Sequence, residues 1–179
     1  MERAGYGEHI AHTVRNMPYE AAIQIKDKIK PEYPNSVSDI RVHKVREVLW
    51  ENPELIDEYI SETELPQEKI DILNLWRTNH KKEMIFVIEY QPEYAVAIAS
   101  DAQGEDRLYG IKGISSSVAN ALRRDVPAQI ETVLLPFKGK IIYDSFMTSM
   151  SIGFAEGARA AFREMYDKAI KHGIITSLE

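Results

Sequence analysis

The 179-residue sequence contains no cysteine, which excludes a disulfide framework, a thiolate zinc site and a cysteine nucleophile. It also lacks a long hydrophobic run, because stretches such as MIFVIEY end after about seven residues and a membrane-spanning helix needs roughly 18. The first residues, MERAGYGEHIAHTVRN, carry charges and have no apolar segment typical of a secretory signal. We therefore expect a cytoplasmic protein with no membrane partner.

What the sequence does contain is typical of a globular protein, with 44% hydrophobic and 28% charged residues. The formal net charge is −6, and much of it lies between Glu51 and Asp71, where eight acidic residues accompany a single basic residue, Lys69. A surface of this kind repels phosphate backbones. The acidic segment therefore favours a solvated helix face or a basic partner over nucleic acid.

Hydrophobic periodicity divides the chain near His80. Residues 1–80 show helical spacing interrupted by prolines, as in the stripes Leu55, Ile56, Tyr59 and Ile70, Leu73, Trp76. From residue 81 the period changes to two, and β-branched and aromatic residues predict strands at 83–90, 93–100, 107–111, 129–135 and 140–144. We expect a helical subdomain at 1–80 and an α+β subdomain at 81–179, packed together as one unit.

The predicted fold class is α+β. We expect an N-terminal helical half, an antiparallel sheet of about five strands with one inserted helix, and a long C-terminal helix over one sheet face. The antiparallel arrangement is expected because the connections between the predicted strands are short. The inserted helix follows Gly113 and the serines 115–117, and the terminal helix spans residues 154–170.

The segment LLPFKGKIIYDS, residues 134–145, allows two interpretations. It could be a ligand-binding loop or the bend of a β-hairpin with core flanks. Five large apolar residues within nine positions favour the hairpin: Leu134, Leu135, Phe137, Ile141 and Ile142. Gly139 permits a turn with positive φ, and the neighbouring lysines discourage pairing with another chain.

The same segment resembles an uncharacterised bacterial domain family. The resemblance rests on LPFKGKIIYD, on the terminal FREMYDKAIKHGIITSL and on Trp76 followed by a strand, and it covers roughly residues 45–179. The family pattern reads LLPF-x-G-x-IIYDG and ends in GIITSL, and some relatives accompany SEC-C zinc motifs. Ser145 stands where the pattern has glycine. The resemblance implies the α+β fold and assigns no activity.

Candidate functional residues are few. A binding surface is predicted in the β half from five cations, Lys112, Arg123, Arg124, Lys138 and Lys140, with Tyr143 and Asp144 as a neighbouring hydrogen-bonded pair. Gly110 to Gly113 also matches the short G-x-x-G pattern of loops that clamp a nucleic-acid backbone. The same residues allow a purely structural interpretation, in which the cations are isolated solvated charges and Tyr143 is a strand residue packed in the core.

No catalytic, metal or cofactor residue is predicted. His9 and His12 have a spacing that suits a metal, but a third ligand is missing from the pattern. The serines 115–117 suit helix capping better than nucleophilic catalysis, because the G-x-S-x-G pattern is absent. The leading hypothesis is a non-catalytic interaction or regulatory domain with a protein partner. The alternatives are a nucleic-acid-binding accessory protein and a small hydrolase.

Overall fold

The computed structural model describes residues 46–101, 103–114, 116–123, 125–144, 147–149, 154 and 156–178. The chain divides into two compact units, Met1–Thr78 and Asn79–Glu179. The sequence predicts a boundary after residue 80, two residues further along the chain. The expectation that the two parts pack as one unit stays a prediction.

The described part of the first unit is helical. Residues 46–51 are helical, and they are followed by α1 (Leu55–Glu62) and α2 (Gln67–Asn79). Ile56 and Tyr59 of α1 and Leu73 and Trp76 of α2 are buried, as the predicted stripes require. The helices predicted within the first 45 residues, together with His9, His12 and His43, lie outside the described residues.

The second unit begins with the end of α2 and continues as a β-rich domain. Its strands are β1 (Lys81–Tyr90), β2 (Ala95–Ser100), β3 (Asp106–Lys112), β4 (Ala128–Pro136), β5 (Ile141–Tyr143), β6 (Thr148–Ser149) and β7 (Ile174–Ile175). Helix α3 (Val118–Leu122) lies between β3 and β4, and α4 (Glu156–Ala169) precedes a 3₁₀ turn at Ile170–His172. The predicted strands, inserted helix and terminal helix are therefore confirmed as elements.

Five of these strands close into a barrel. The hydrogen-bonded order is β1-β2-β3-β5-β4, and β4 pairs back to β1 from Lys81↔Leu134 to Val87↔Ala128. β3 is parallel to both β5 and β7. The predicted simple antiparallel sheet is therefore wrong. Short connections determine pairing only between consecutive strands, and they carry no information on the distant β1–β4 and β3–β5 pairs that close the barrel.

The barrel interior is filled by buried side chains. Its core consists of Ile85, Val87, Ala95, Ala97, Ala99, Tyr109, Ile111, Val118, Ile130, Leu134 and Ile141. The alternating sequence of β2 suits this position, because its three alanines face a narrow interior and its larger residues face outward. Helix α3 adds Val118 to the same core, and the Ser117 hydroxyl caps α3 by accepting a hydrogen bond from the Asn120 N–H at 3.2 Å.

Helix α4 covers the outer face of β2 and β3, as expected for the terminal helix. Val96, Ile98 and Leu108 of the strands form one buried cluster with Ala169, and Phe162, Met165 and Tyr166 of α4 pack against it. A hydrophobic stripe on a 14-residue helix thus finds its partner on the barrel surface. Among the described residues, no helix combines the length and the apolar character needed to cross a membrane.

Candidate functional site

The β4–β5 hairpin answers the question raised by the segment LLPFKGKIIYDS. Phe137 and Lys140 exchange two backbone hydrogen bonds, of 2.8 and 3.1 Å, around the two-residue turn Lys138-Gly139. Both turn residues have positive φ, 50° and 70°, which is the geometry of a type I′ turn. Leu134, Leu135, Ile141 and Ile142 are all buried. The hairpin interpretation is confirmed: Lys138, Gly139 and Lys140 are exposed, whereas Phe137, which the sequence analysis places among the core flanks, is half-buried.

The predicted cations lie on three different elements. Lys112 ends β3, where its Nζ lies 3.5 Å from Glu93 Oε2. Arg123 follows α3 in a left-handed conformation with φ of 50° and is exposed. Lys138 and Lys140 are exposed in the hairpin tip. Arg124 lies outside the described residues.

Strand register shows which of these cations are neighbours. Lys112 stands opposite Ile142 in the parallel β3–β5 pair, two residues beyond Lys140 on the adjacent strand. Arg123 precedes β4 and the hairpin tip follows it. The strand has nine residues, and its eight steps of about 3.3 Å place its ends roughly 26 Å apart. The structure thus brings Lys112 towards the hairpin lysines and leaves Arg123 at the other end of β4.

Tyr143 and Asp144 belong to the barrel wall. Tyr143 is half-buried and packs against the barrel core. Asp144 is buried, and its backbone N–H donates to the Val133 carbonyl at 3.1 Å, which extends the β4–β5 pairing by one residue. The pair therefore contributes to the fold, and its position between core strands gives it little surface for a ligand.

The G-x-x-G match at Gly110 to Gly113 has a structural explanation. Gly110 is a buried β3 residue, and an added Cβ there would lie 3.1 Å from the Tyr94 ring. A Cβ on Gly113 would overlap the Ser116 carbonyl oxygen, so close backbone approach requires this glycine. The G-x-x-G match thus ends a strand and is not a loop between helices. Within the described ranges, no group of three His, Asp or Glu residues could hold a metal ion.

The start of β1 carries a half-buried polar cluster. Lys81 Nζ donates a hydrogen bond to Tyr109 Oη at 2.8 Å and lies 3.3 Å from Glu83 Oε1. Burial alone would lower the pKa of Lys81, but the hydrogen bond to Tyr109 and the charge of Glu83 outweigh burial and raise that pKa above its usual value. The ammonium group stays charged at neutral pH, so it ties β1 to β3 and is unsuited to act as a general base.

A cleft beside α4 is the feature that the sequence analysis missed. We call it the α4 cleft; it has a volume of about 380 Å³ and is lined by Ile88 and Glu89 of β1, by Val126 and Pro127 before β4, and by Arg159, Phe162, Arg163, Tyr166 and Asp167 of α4. The register of β1 against β2 shifts between Val87 and Glu89, which marks a bulge. This irregularity directs Ile88 and Glu89 towards the cleft.

Two arginines give the α4 cleft its chemical character. Arg159 and Arg163 are one helical turn apart on α4, about 6 Å along the axis. Arg159 donates long hydrogen bonds of 3.4 Å to the carbonyls of Phe154 and Val126, and both side chains are largely exposed. The sequence shows their i, i+4 spacing. It does not show the surface opposite them, which is formed by β1 and by Val126 and Pro127 before β4.

Phe162, one of the residues that line the α4 cleft, belongs to an aromatic cluster. The Phe162 ring lies 4.9 Å from Phe86 and 5.1 Å from Phe154, measured between centroids, and Phe86 lies 6.3 Å from Phe154. Aromatic pairs at these separations attract each other beyond their area of contact. The three rings pack α4 against β1, and Phe162 contributes its apolar side chain to the cleft.

No family model, curated protein or solved structure matches the chain. The resemblance to the uncharacterised bacterial domain family therefore stays a prediction.

Proposed function

We propose that this protein is a non-catalytic binding domain that holds a ligand on the outside of its barrel, in the α4 cleft. The observation that carries the proposal is the cleft itself, which combines two exposed guanidinium groups with the aromatic side chains of Phe162 and Tyr166. The barrel interior is occupied by its own core, so the outer surface is the available place for a ligand.

The composition of the cleft favours binding over catalysis. Its lining residues include no histidine, serine or threonine, so the lining itself provides no paired nucleophile and base of the usual kind. Ser117, one of the three serines considered as a nucleophile, caps α3 instead. These features support the interaction-domain hypothesis over the hydrolase alternative. The cytoplasmic location remains our expectation from the cysteine-free composition.

A fragment screen by amide NMR on the full chain tests this proposal. We expect bound fragments to shift the resonances of Ile88, Val126 and Phe162, and to be recovered chemically unchanged. Arg163→Glu should abolish these shifts, whereas Lys171→Glu, at an exposed cation beyond the end of α4, should preserve them. Fragments that shift only residues away from the α4 cleft, or that are converted to products, would overturn the proposal.

A second candidate function is nucleic-acid binding through the β4–β5 hairpin. The second unit is a five-stranded barrel, and five-stranded barrels of the oligonucleotide- and oligosaccharide-binding class use the face of strands 2 and 3 and the β4–β5 loop. Here α4 covers that face, which leaves Lys138 and Lys140 in the loop as contacts.

Fluorescence anisotropy with a labelled single-stranded oligonucleotide tests the second candidate. Binding at low salt that weakens as salt rises, and that is lost in a Lys138→Glu and Lys140→Glu double variant, would support the hairpin as a phosphate contact. Equal binding by the double variant would reject it. The same double variant should leave fragment binding in the α4 cleft unchanged, so the two candidate functions are separable.

A further inference from the structure

We infer that the α4 cleft binds a small phosphate monoester of mononucleotide size, with the phosphate between Arg159 and Arg163 and a planar ring beside Tyr166. The inference rests on the proposed function and adds the chemical class of the ligand.

The size of the cleft indicates a small molecule. A volume of about 380 Å³ lies near the lower end of the roughly 300 to 1,000 Å³ that is typical of small-molecule sites. The wall from α4 extends from Arg159 to Asp167, about 12 Å along the helix axis. A single nucleotide suits these dimensions, whereas an extended peptide or a longer nucleic acid would be too long and would extend beyond the cleft.

The charges indicate a phosphate dianion. Four other cations of the second unit lie within ion-pair distance of carboxylates: Lys81 of Glu83, Arg107 of Asp101 and Glu105, Lys112 of Glu93, and Lys168 of Glu164. Among the described residues, neither Arg159 nor Arg163 has a carboxylate within ion-pair distance, and Arg159 bonds only to neutral carbonyls. Two guanidinium groups one turn apart therefore offer two positive charges to a ligand.

A phosphate monoester uses both arginines better than a carboxylate does. It carries about −1.5 to −2 charges at neutral pH and three terminal oxygens, enough for a forked contact with each guanidinium. A carboxylate carries a single negative charge, so it neutralises only one of the two guanidinium groups.

The rest of the cleft suits a planar group with hydrogen-bond donors. Tyr166 is half-buried against the strands, and its ring and that of Phe162 line the cleft beside the apolar side chain of Ile88. Glu89 and Asp167 are exposed carboxylates in the same lining. They can accept hydrogen bonds from exocyclic amino groups, and they repel a ligand that carries negative charge at both ends.

Isothermal titration of the full chain with AMP, GMP, CMP and UMP tests this inference, with adenosine and inorganic phosphate as partial ligands. We expect at least one mononucleotide to bind. Adenosine, which lacks the phosphate, and the Arg163→Ala variant should each weaken binding by about tenfold or more, because hydrogen bonds to charged groups are the stronger ones. Arg159→Ala should have a similar effect. Lys171→Ala, which removes an exposed cation outside the cleft, should change the affinity less than about twofold.

Several results would overturn the inference. These are the absence of mononucleotide binding at millimolar concentration, equal binding of nucleoside and nucleotide, and arginine variants that bind like the unchanged protein with an unchanged melting temperature. Binding of inorganic phosphate with the same affinity as the nucleotides would also reject it, because the ring would then contribute nothing. If nucleotides fail while other fragments still shift the cleft resonances, the ligand class is wrong and the binding function stands. If no fragment shifts them either, the proposed function fails as well.

Discussion

Phe86 of β1 and Phe162 of α4 lie with their ring centroids 4.9 Å apart, and this contact joins the terminal helix to the barrel. Both rings are half-buried, so each removes less apolar surface from water than a core phenylalanine does.

We expect Phe162→Ala to lower the free energy of unfolding by about 2 kcal/mol, below the range for fully buried phenylalanines because of this partial exposure. Chemical denaturation measures the change. Ile170→Ala, at an exposed residue after α4, serves as the control and should cost less than about 1 kcal/mol. Equal losses in the two variants would contradict the assigned role of the ring contact.

Replacing glycine with alanine should have opposite effects on stability at Gly139, in the hairpin turn, and at Gly157, in α4. Gly139 has a φ of 70° and free space around an added Cβ, so Gly139→Ala introduces backbone strain without a clash and should destabilise by about 1 to 2 kcal/mol. Gly157 lies exposed in α4, and Gly157→Ala should stabilise by up to about 1 kcal/mol because alanine favours helix. Thermal unfolding of both variants measures the difference, and a stabilising Gly139→Ala would rule out the assigned turn geometry.

A change at the neighbouring turn position should raise stability. Lys138 has a φ of 50°, a conformation that asparagine tolerates better than lysine does, and Asn-Gly is the preferred pair for this turn type. We expect Lys138→Asn to stabilise the protein by about 0.5 kcal/mol. The melting temperature checks this, with Lys140→Asn as the matched control outside the left-handed region. No gain, or an equal gain in both variants, would contradict the prediction.

The loop between β2 and β3 predicts a loss of stability in acid. The Asp101 carboxylate accepts hydrogen bonds from the backbone N–H groups of Glu105 and Gln103 and from Arg107, and these interactions lower the pKa of Asp101 below its usual 3.8. Because the folded-state pKa is the lower one, the stabilisation is present above pH 3.8 and is lost as the pH falls through the folded value.

Asp101→Asn should therefore lower the melting temperature near neutral pH. The difference in melting temperature from the unchanged protein should begin to narrow near pH 3.8 and close only as the pH falls through the lower folded-state pKa, because below that value the carboxylate is protonated in both states. The control is Asp71→Asn, at an exposed aspartate of α2. If the melting temperature of Asp101→Asn stays below that of the unchanged protein by the same amount into strong acid, the negative charge of Asp101 does not contribute to stability.

The polar cluster at the start of β1 predicts that the protein loses stability at high pH. Tyr109→Phe removes the acceptor for Lys81 Nζ and should destabilise by about 1 kcal/mol at neutral pH. The raised pKa of Lys81 means that its stabilisation holds below 10.5 and is lost as the pH rises through the folded value. Denaturation at neutral and alkaline pH measures both effects. Tyr94→Phe is the control, and an equal loss there at neutral pH would contradict the assigned hydrogen bond.

Local patterns were sufficient to predict the longer elements, whereas the two-residue strands β6 and β7 were not predicted. The spacing of Leu73 and Trp76, the alternation in β1 and the Gly139 turn each depend on neighbours along the chain, and each is confirmed. Register within the β4–β5 hairpin follows from the same local chemistry, because a two-residue turn leaves one way to pair Pro136 with Ile141.

Barrel closure and the candidate site required the tertiary structure. The ten-residue strand β1 pairs with both β2 and β4, and a period-two pattern does not show which distant strand will be its second neighbour. Arg159 and Arg163 appear in the sequence as ordinary helix-surface charges. They become the wall of a cleft because folding brings the β1 bulge and Val126 opposite them. By itself, the sequence determined the local conformations, since these depend on contacts within a few residues. The tertiary structure decided the barrel and the cleft, because both arise from contacts between residues far apart in the chain.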